Sequence, residues 1–208
     1  MPRKIVVHVF RHGKAAQGVL TPEGIRELKG IGKELRKSIP RKGGAKFYFS
    51  PVPRAVQTAG VLREAAGKKA LKYVPRTREA LTETRRASQE AFLKEFEKAG
   101  KNESVLLSRW LDKAIDASVL EQPEKSVERL KKALFKFPAY LSGRLKEGKP
   151  IHLVYVSHGG PLDAFIEHLT NKKMSDLGGF IKNGERMIFA FKKGSLSLVF
   201  RGKKYGLY

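Results

Sequence analysis

The amino-acid sequence predicts an α/β fold, a three-layer sandwich in which a twisted, mostly parallel sheet carries helices on both faces. Three observations support this prediction. Short apolar runs alternate along the chain with amphipathic helical stretches, the order in which a parallel sheet is built. Several of these runs end in polar residues, as strands do at the ligand-binding edge of such a sheet. No linker-like segment divides the 208 residues, which favours a single domain over residues 1–208.

Charge narrows the classes of partner. The chain has 43 Lys and Arg against 20 Asp and Glu, a formal net charge of +23. This excess favours a small anionic, phosphorylated partner. Because the cations are spread along the chain rather than gathered in one arm, nucleic acid is a less favoured partner. A basic surface adapted to the host cytoplasm explains the charge equally well.

Cysteine content and hydropathy exclude further classes. The absence of cysteine removes disulfides, thiolate catalysis and thiolate metal sites. The apolar run after residues 1–4 is too short for a secretory leader, and no run is long enough to cross a bilayer. We therefore expect a cytoplasmic protein with no membrane partner. No carboxylate cluster has the spacing of metal ligands, so we expect neither a metal nor another cofactor.

The first predicted strand, residues 5–10, is almost continuously apolar, as suits a strand covered on both faces. It is followed directly by Arg11 and His12, a cation and an imidazole that can hold an anion and attack or deprotonate it. A second strand, residues 46–50, ends in a polar turn, and Arg54 lies in the first turn of the next helix. A cation is unfavourable at a helix N-terminus, so its position predicts a nearby anion.

The middle of the chain is predicted to be mainly helical. Thr21 and Pro22 are a typical N-cap and first residue of a helix. Ser126 is expected to cap a long helix that Pro138 kinks or divides. The charged segment 75–88 is typical of an active-site loop. The predicted elements are helices at 22–39, 54–66, 89–99, 103–116 and 126–147, and a strand near 71–74.

The last third of the chain repeats the strand-to-helix pattern. A buried strand over residues 151–156 ends in Ser157-His158-Gly159, and a helix starts at Pro161 and reaches about residue 170. The remaining elements are a hairpin of strands 187–191 and 195–200 and a short basic tail over 202–208.

Together, the polar strand ends resemble the histidine phosphatase superfamily, which contains phosphoglycerate mutases, acid phosphatases and phosphohistidine phosphatases. Five short segments match its motifs in the same order and with suitable spacing. Each is weak by itself, but the ordered set spans most of the chain. The segments are Arg11-His12-Gly13, Leu20-Thr21-Pro22-Glu23-Gly24, residues 50–59 (SPVPRAVQTA), Leu81-Thr82-Glu83 and Val156-Ser157-His158-Gly159.

The resemblance implies a phosphatase that works through a covalent phosphohistidine without a metal. His12 would be the nucleophile and would attack in its neutral form. Arg11, Arg54 and His158 would hold the three non-bridging phosphate oxygens, with His158 also counted among the catalytic residues. The resemblance further implies a helical cap insertion, which we expect at about residues 84–125.

The general acid is implied by the same resemblance. Glu83 matches the family's Leu-x-Glu and would protonate the leaving oxygen and then activate water; Glu79, in the same loop, is the alternative. We expect the other histidines (His8, His152 and His168) to be structural. Further substrate contacts are expected from Gly13, Lys14, Gly159, Arg85 and Arg86.

Two departures favour hydrolysis over transfer to a second hydroxyl. Mutases of this family carry Arg-His-Gly-Glu-Ser and His-Gly-Asn-Ser-Leu-Arg, whereas this chain has Lys14 after the first motif and Gly160-Pro161-Leu162-Asp163 in the second. The alternatives are a phosphoglycerate mutase-type phosphotransferase and a non-catalytic module of the same fold that binds phospho-ligands or nucleic acid. Neither the substrate nor the oligomeric state is predicted.

Overall fold

A central sheet separates two layers of helices. The structure is a computed structural model, and it describes residues 4–39, 44–67, 76–144, 148, 150–192 and 195–207. Its strands are β1 (Ile5–Arg11), β2 (Ala15–Ala16), β3 (Val19–Leu20), β4 (Ala45–Phe49), β5 (Arg76–Thr77), β6 (Ile151–Ser157), β7 (Arg186–Lys192), β8 (Ser195–Phe200) and β9 (Lys203–Gly206). In the described part of the chain the order across the sheet is β5-β4-β6-β1-β7-β8-β9, and β2 and β3 form a separate hairpin.

Strand direction brings three strand ends to one edge. β6 pairs in parallel with β1 on one side and with β4 on the other, and β5 continues the parallel part. In this register Arg11 lies opposite Ser157, and Phe49 lies opposite Val156. Because parallel neighbours end at the same edge, the polar residues after β1, β4 and β6 meet there. The strands β7, β8 and β9 complete the sheet as an antiparallel meander.

The helices cover both faces of the sheet. They are α1 (Pro22–Ser38), α2 (Pro53–Ala66), α3 (Gln89–Lys98), α4 (Glu103–Leu111), α5 (Pro123–Lys131), α6 (Phe137–Arg144) and α7 (Gly159–Thr170), with a 3-10 helix at Glu79–Leu81 and a π-helical turn at Lys132–Lys136.

Alternation along the strands divides the core in two. Phe47 and Val154 point to the face that α1 and α2 cover, whereas Tyr48 and Tyr155 point to the face packed against the later helices. The two-sided burial explains why β1 and β6 read as nearly continuous apolar sequence. The predicted α/β fold, with a mostly parallel sheet between helices, is confirmed. The predicted cap at Thr21 is confirmed too, because its side chain accepts a hydrogen bond from Gly24 N.

The predicted helix from Ser126 was wrong at its start. The helix begins at Pro123, whose missing N–H costs nothing in a first turn. Ser126 is fully buried and donates from Oγ to Glu121 Oε2 at 3.1 Å instead of capping. The expected break near Pro138 takes the form of the π-helical turn just before it, as proline has no N–H to pair with Leu134 four residues earlier.

Two other boundaries differ from the prediction. The helix expected over 103–116 ends at Leu111, because Lys113 adopts a positive φ of 60°. Within the expected basic tail, residues 203–206 form strand β9, in which Tyr205 pairs with Leu198 and packs on the core. The strand expected near 71–74 lies outside the described residues.

Candidate active site

The edge where the three strands end is hollowed into a cleft of about 380 Å³. Four of the side chains that face it were expected from the sequence to bind or attack phosphate. These are Arg11 and His12 after β1, Arg54 in the first turn of α2, and His158 before α7. The arrangement gathers two cations and two imidazoles at one end of the cleft.

His12 is held in one orientation by the backbone. Its ring Nδ1 lies 2.8 Å from the carbonyl oxygen of Gly13, so Nδ1 carries the proton and donates to that oxygen. Its main-chain N–H donates to Ser157 O at 3.0 Å, which fixes the residue to the end of β6. The lone pair of Nε2 is therefore directed into the cleft, where Arg54 Nε donates to it at 3.0 Å.

The environment keeps His12 neutral. Burial lowers the pKa of His12 to about 4, aided by the charges of Arg54 and Arg11 and opposed by the hydrogen bond to the Gly13 carbonyl. At neutral pH the imidazole thus carries no proton on Nε2. A neutral imidazole with a free lone pair is a nucleophile, which is the state that attack on phosphorus needs.

Arg54 lies at the centre of the cleft. Besides His12, its guanidinium contacts two other polar groups: Nη2 lies 3.2 Å from His158 Nδ1, and the same nitrogen pairs with Glu83. All three are acceptors that an anion can replace. Arg54 is thus the group in the cleft best placed to exchange protein contacts for a ligand.

Thr58 fixes the relative position of Arg54 and the loop after β1. One turn along α2, its Oγ1 donates to Arg54 O at 2.7 Å and accepts from Gly13 N at 3.0 Å. Thr58 belongs to the predicted motif over residues 50–59, but no role was expected for it from the sequence. Gly13 has no room for a side chain, since a Cβ there would lie 2.5 Å from Leu28 Cδ1.

His158 is buried against the end of β4. Its Nε2 lies 2.8 Å from Ser50 Oγ, and its ring centroid is 5.2 Å from that of His12. With Arg54 donating towards Nδ1, the proton lies on Nε2 and is donated to Ser50. Burial lowers the pKa of His158 far below its ordinary value, and the neighbouring His12 and Arg54 lower it further. Ser50 was not predicted as a site residue.

Of the two candidate acids, Glu83 lies in the cleft and the alternative Glu79 does not. Glu83 follows the 3-10 helix, whose last residue, Leu81, accepts a hydrogen bond from Ser157 Oγ at 2.8 Å. Arg129 Nη1 holds the same segment by donating to Ala80 O at 2.8 Å. Glu79 is exposed on the outer side of this turn.

Arg11 is anchored by a main-chain carbonyl oxygen and by a carboxylate that also lines the cleft. Its Nη1 donates to Ile181 O at 2.6 Å, and its Nη2 is 3.5 Å from Glu103 Oε1. Gly159 leaves room for the flat guanidinium, because a Cβ there would lie 2.9 Å from Arg11 Cζ. The glycine expected to contact substrate therefore acts on the shape of the site through Arg11.

Of the three other cations expected to contact substrate, one lines the cleft and two do not. Arg86 faces the cleft, where its guanidinium lies 4.0 Å from the centroid of the Phe92 ring. Lys14 is exposed and pairs with Glu23, and Arg85 is exposed; neither of these two cations lines the cleft.

An apolar wall also lines the cleft. It lies within residues 84–125, the segment expected to form the cap, but none of its residues was predicted individually as a site residue. It comes from α3, α4 and the residues that follow, and Trp110 is fixed in it by donating from Nε1 to Glu121 O at 2.7 Å. Apolar residues at helical spacing predict a buried helix face. The pattern is the same whether that face packs on a core or lines a ligand site. The wall consists of Phe92, Phe96, Leu106, Leu107, Trp110 and Leu120.

Across the described ranges, no group of three or more His, Asp or Glu side chains is placed to hold a metal ion. In the same residues no helix is both long and apolar enough to cross a membrane.

Comparisons with known proteins identify the family and the fold. The family model described as "Histidine phosphatase superfamily (branch 1)" matches residues 8–203. The fold is similar to a crystal structure of phosphoglycerate mutase from Bacillus anthracis str. Sterne, with 21% identity over 97% of this chain and 94% of that one and a TM-score of 0.69. No curated protein sequence matches the chain significantly.

Two further solved structures share the fold. Bacillus stearothermophilus YhfR is 17% identical over 96% of this chain and 97% of its own, with a TM-score of 0.67. A mycobacterial glucosyl-3-phosphoglycerate phosphatase is 21% identical over 90% of this chain and 91% of its own, with a TM-score of 0.60.

Proposed function

We propose that this chain, which belongs to the histidine phosphatase superfamily, hydrolyses a phosphomonoester or phosphoramidate through a covalent phosphohistidine on His12. The observation that supports this most is the state of His12: neutral, buried, fixed through Nδ1, and facing Arg54 through the Nε2 lone pair. No metal takes part in the proposed reaction. The charge of the phosphate is met instead by Arg11 and Arg54. His158 would donate to a phosphate oxygen once its Nδ1 takes up a proton, which the negative charge of a bound phosphate favours.

In the first step the phosphoryl group replaces the protein acceptors around Arg54. The guanidinium turns from His12 Nε2 to the phosphate oxygens, which frees the lone pair. Nε2 attacks phosphorus as the bond from phosphorus to the leaving oxygen or nitrogen breaks, and that leaving atom takes a proton from Glu83. His12 becomes phosphorylated, and the leaving group departs as an alcohol or amine.

The second step regenerates the enzyme. Glu83, now a carboxylate, takes a proton from water, and the water oxygen attacks phosphorus in line with the phosphorus–nitrogen bond. That bond breaks, its electron pair returns to His12 Nε2, and inorganic phosphate leaves. The two steps divide one difficult displacement into two easier ones.

Residues 84–125 serve, in this proposal, as the cap that covers the leaving group. The apolar wall supplied by α3 and α4 lies across the cleft from His12 and would exclude water from the leaving group. Arg86, stacked on Phe92, would contact a second polar group of the substrate. The reaction favoured is hydrolysis, because Gly160 and Pro161 add no polar side chain with which to hold a second acceptor alcohol.

The direct test is phosphate release from p-nitrophenyl phosphate in the presence of EDTA, followed by acid and alkaline quenching of enzyme labelled from a radioactive phosphoester. We expect turnover without metal and a protein-bound label that survives alkali and is lost in acid, as a phosphoramidate bond requires. Turnover that EDTA abolishes would contradict the proposal. Exchange between phosphoglycerates without phosphate release would identify a mutase, and binding without either reaction would identify a phospho-ligand sensor.

The assignment of the acid gives a separate prediction. Glu83→Gln is expected to lower kcat roughly 10²- to 10³-fold for an alkyl phosphate and much less for p-nitrophenyl phosphate, whose leaving oxygen needs little protonation. Glu79→Gln, a matched change on the exposed side of the same turn, is expected to leave both rates unchanged. Equal losses with the two substrates in the Glu83 variant would show that Glu83 acts by positioning Arg54 and does not donate a proton.

A further inference from the structure

A second cavity, of about 500 Å³, lies on the side of the sheet covered by the π-helical turn and α6. It shares no described lining residue with the active-site cleft. The helix widens at Lys132–Lys136 and continues as α6 from Phe137, so the helical segment roofs the strands without filling the space beneath. Turns of this kind inside helices occur often at functional sites.

The floor of this cavity is aromatic. Tyr48 on β4 and Tyr155 on β6 are paired neighbours in the sheet, and their rings stack with centroids 5.0 Å apart. They are 5% and 2% exposed, so they are rigid parts of the core. Phe137 and Tyr140 add rings from α6 that are 36% and 52% exposed. A flat ring entering the cavity would therefore find aromatic faces on two sides.

The rim is cationic and has no counter-charge. Arg78, Lys132 and Lys136 line the cavity, and the described lining residues include no carboxylate. Lys132 and Lys136 are four residues apart in one helical segment, and Arg78 Cζ lies 5.3 Å from the centroid of the Tyr48 ring. In the described ranges none of the three forms an ion pair, whereas the neighbouring Lys131 pairs with Glu128 at 3.3 Å.

Unpaired cations around an aromatic floor define the chemistry of a ligand. Like charges placed this close repel one another, and an anion between them removes that cost. A planar ring would gain dispersion and stacking energy on the two tyrosine rings. Burial raises the pKa of Tyr155, so its hydroxyl adds no negative charge beside the cations. We propose that this cavity is a second binding site, separate from the catalytic cleft, for a small anion that carries a planar aromatic ring.

The test is an equilibrium fluorescence titration with 8-anilinonaphthalene-1-sulfonate, a planar aromatic anion that a phosphatase cannot hydrolyse. Excess orthovanadate is present to occupy the catalytic cleft. We expect saturable binding of one molecule per chain. The double variant Lys132→Ala, Lys136→Ala is expected to weaken it at least about tenfold, and the matched control Lys131→Ala to leave it unchanged.

A neutral probe separates the two parts of the proposal. N-phenyl-1-naphthylamine has the same rings without the sulfonate, and we expect it to bind at least about tenfold more weakly to the wild-type protein. The proposal is overturned if the sulfonate does not bind or if the double substitution leaves its affinity unchanged. It is also overturned if the neutral probe binds as tightly as the sulfonate. Because the thermal unfolding of the variants is measured alongside, a loss of fold is not mistaken for a loss of binding. None of these results depends on the phosphatase reaction.

Discussion

His12→Asn is expected to lower kcat by roughly 10⁴-fold or more, because it removes the nucleophile of the proposed mechanism. Asparagine keeps a polar side chain in the space but supplies no nucleophilic lone pair. The same variant is expected to lose the acid-labile label completely. Both quantities follow from phosphate release and from quenched labelling with the same substrate.

The control is a histidine outside the cleft. His168 on α7 is exposed, and His168→Asn is expected to retain full turnover and labelling. The His12 variant should also keep most of its affinity for orthovanadate, since Arg11, Arg54 and His158 remain. Rapid turnover by the His12 variant would place the covalent step on another residue and would remove the central element of the proposed mechanism.

The sequence was sufficient to place the phosphate end of the cleft because strand geometry determines it. Side chains that directly follow parallel strands must meet at one edge, whatever separates them along the chain. His12 and His158 are brought to a ring-centroid distance of 5.2 Å by this rule. Arg54 was found through a different physical signal, a cation placed where a helix N-terminus disfavours one.

The supporting residues were missed for a reason that is also physical. Thr58 and Ser50 each make a hydrogen bond to a residue from another element, Thr58 to Gly13 and Ser50 to His158. In the sequence, a Ser or Thr that makes such a hydrogen bond cannot be distinguished from one in any buried turn. The residues of the apolar wall were not predicted as site residues, because apolar residues at helical spacing indicate only that a helix face is buried. The pattern is the same for a face against the core and a face against a ligand.

The last strand and the position of Lys14 also depend on contacts with other parts of the fold. The segment 203–206 is short and basic, and by itself it has little preference for a strand conformation. They become β9 because β8 offers a free edge and Tyr205 gains a packed position on the core. Lys14 was expected to contact substrate from its place in the motif, but its pairing with Glu23 turns it away.

Asp163 combines an unusual position with an unusual protonation state. It lies fully buried on α7, where mutases of the family carry an arginine. Its Oδ1 accepts from Ile181 N at 2.8 Å, and Ile181 O in turn accepts from Arg11 Nη1. Its Oδ2 is buried without a hydrogen-bond partner. Burial raises the pKa of Asp163 to about 7, against the lowering effects of the Ile181 N–H and of Arg11.

Asp163→Asn is therefore expected to stabilise the protein increasingly as the pH rises. In the folded state Asp163 keeps a proton up to its pKa of about 7, whereas in the unfolded state it releases the proton near its ordinary pKa. The contribution of Asp163 to the free energy of unfolding of the wild type therefore falls as the pH rises, until the folded pKa is passed. Asparagine has no such proton to lose. Between about pH 5 and pH 8 the stability difference between variant and wild type should grow by about 2 to 3 kcal/mol.

The growth of this difference, measured by urea unfolding at several pH values, is more informative than its absolute size. Any packing or hydrogen-bonding cost of the amide is present at every pH and cancels. Asp176→Asn is the control, because it makes the same chemical change at an exposed side chain. A constant difference for Asp163→Asn would mean that Asp163 is ionised throughout. It would then be a buried counter-charge that holds Arg11 in place, and the variant should lose phosphate affinity at every pH.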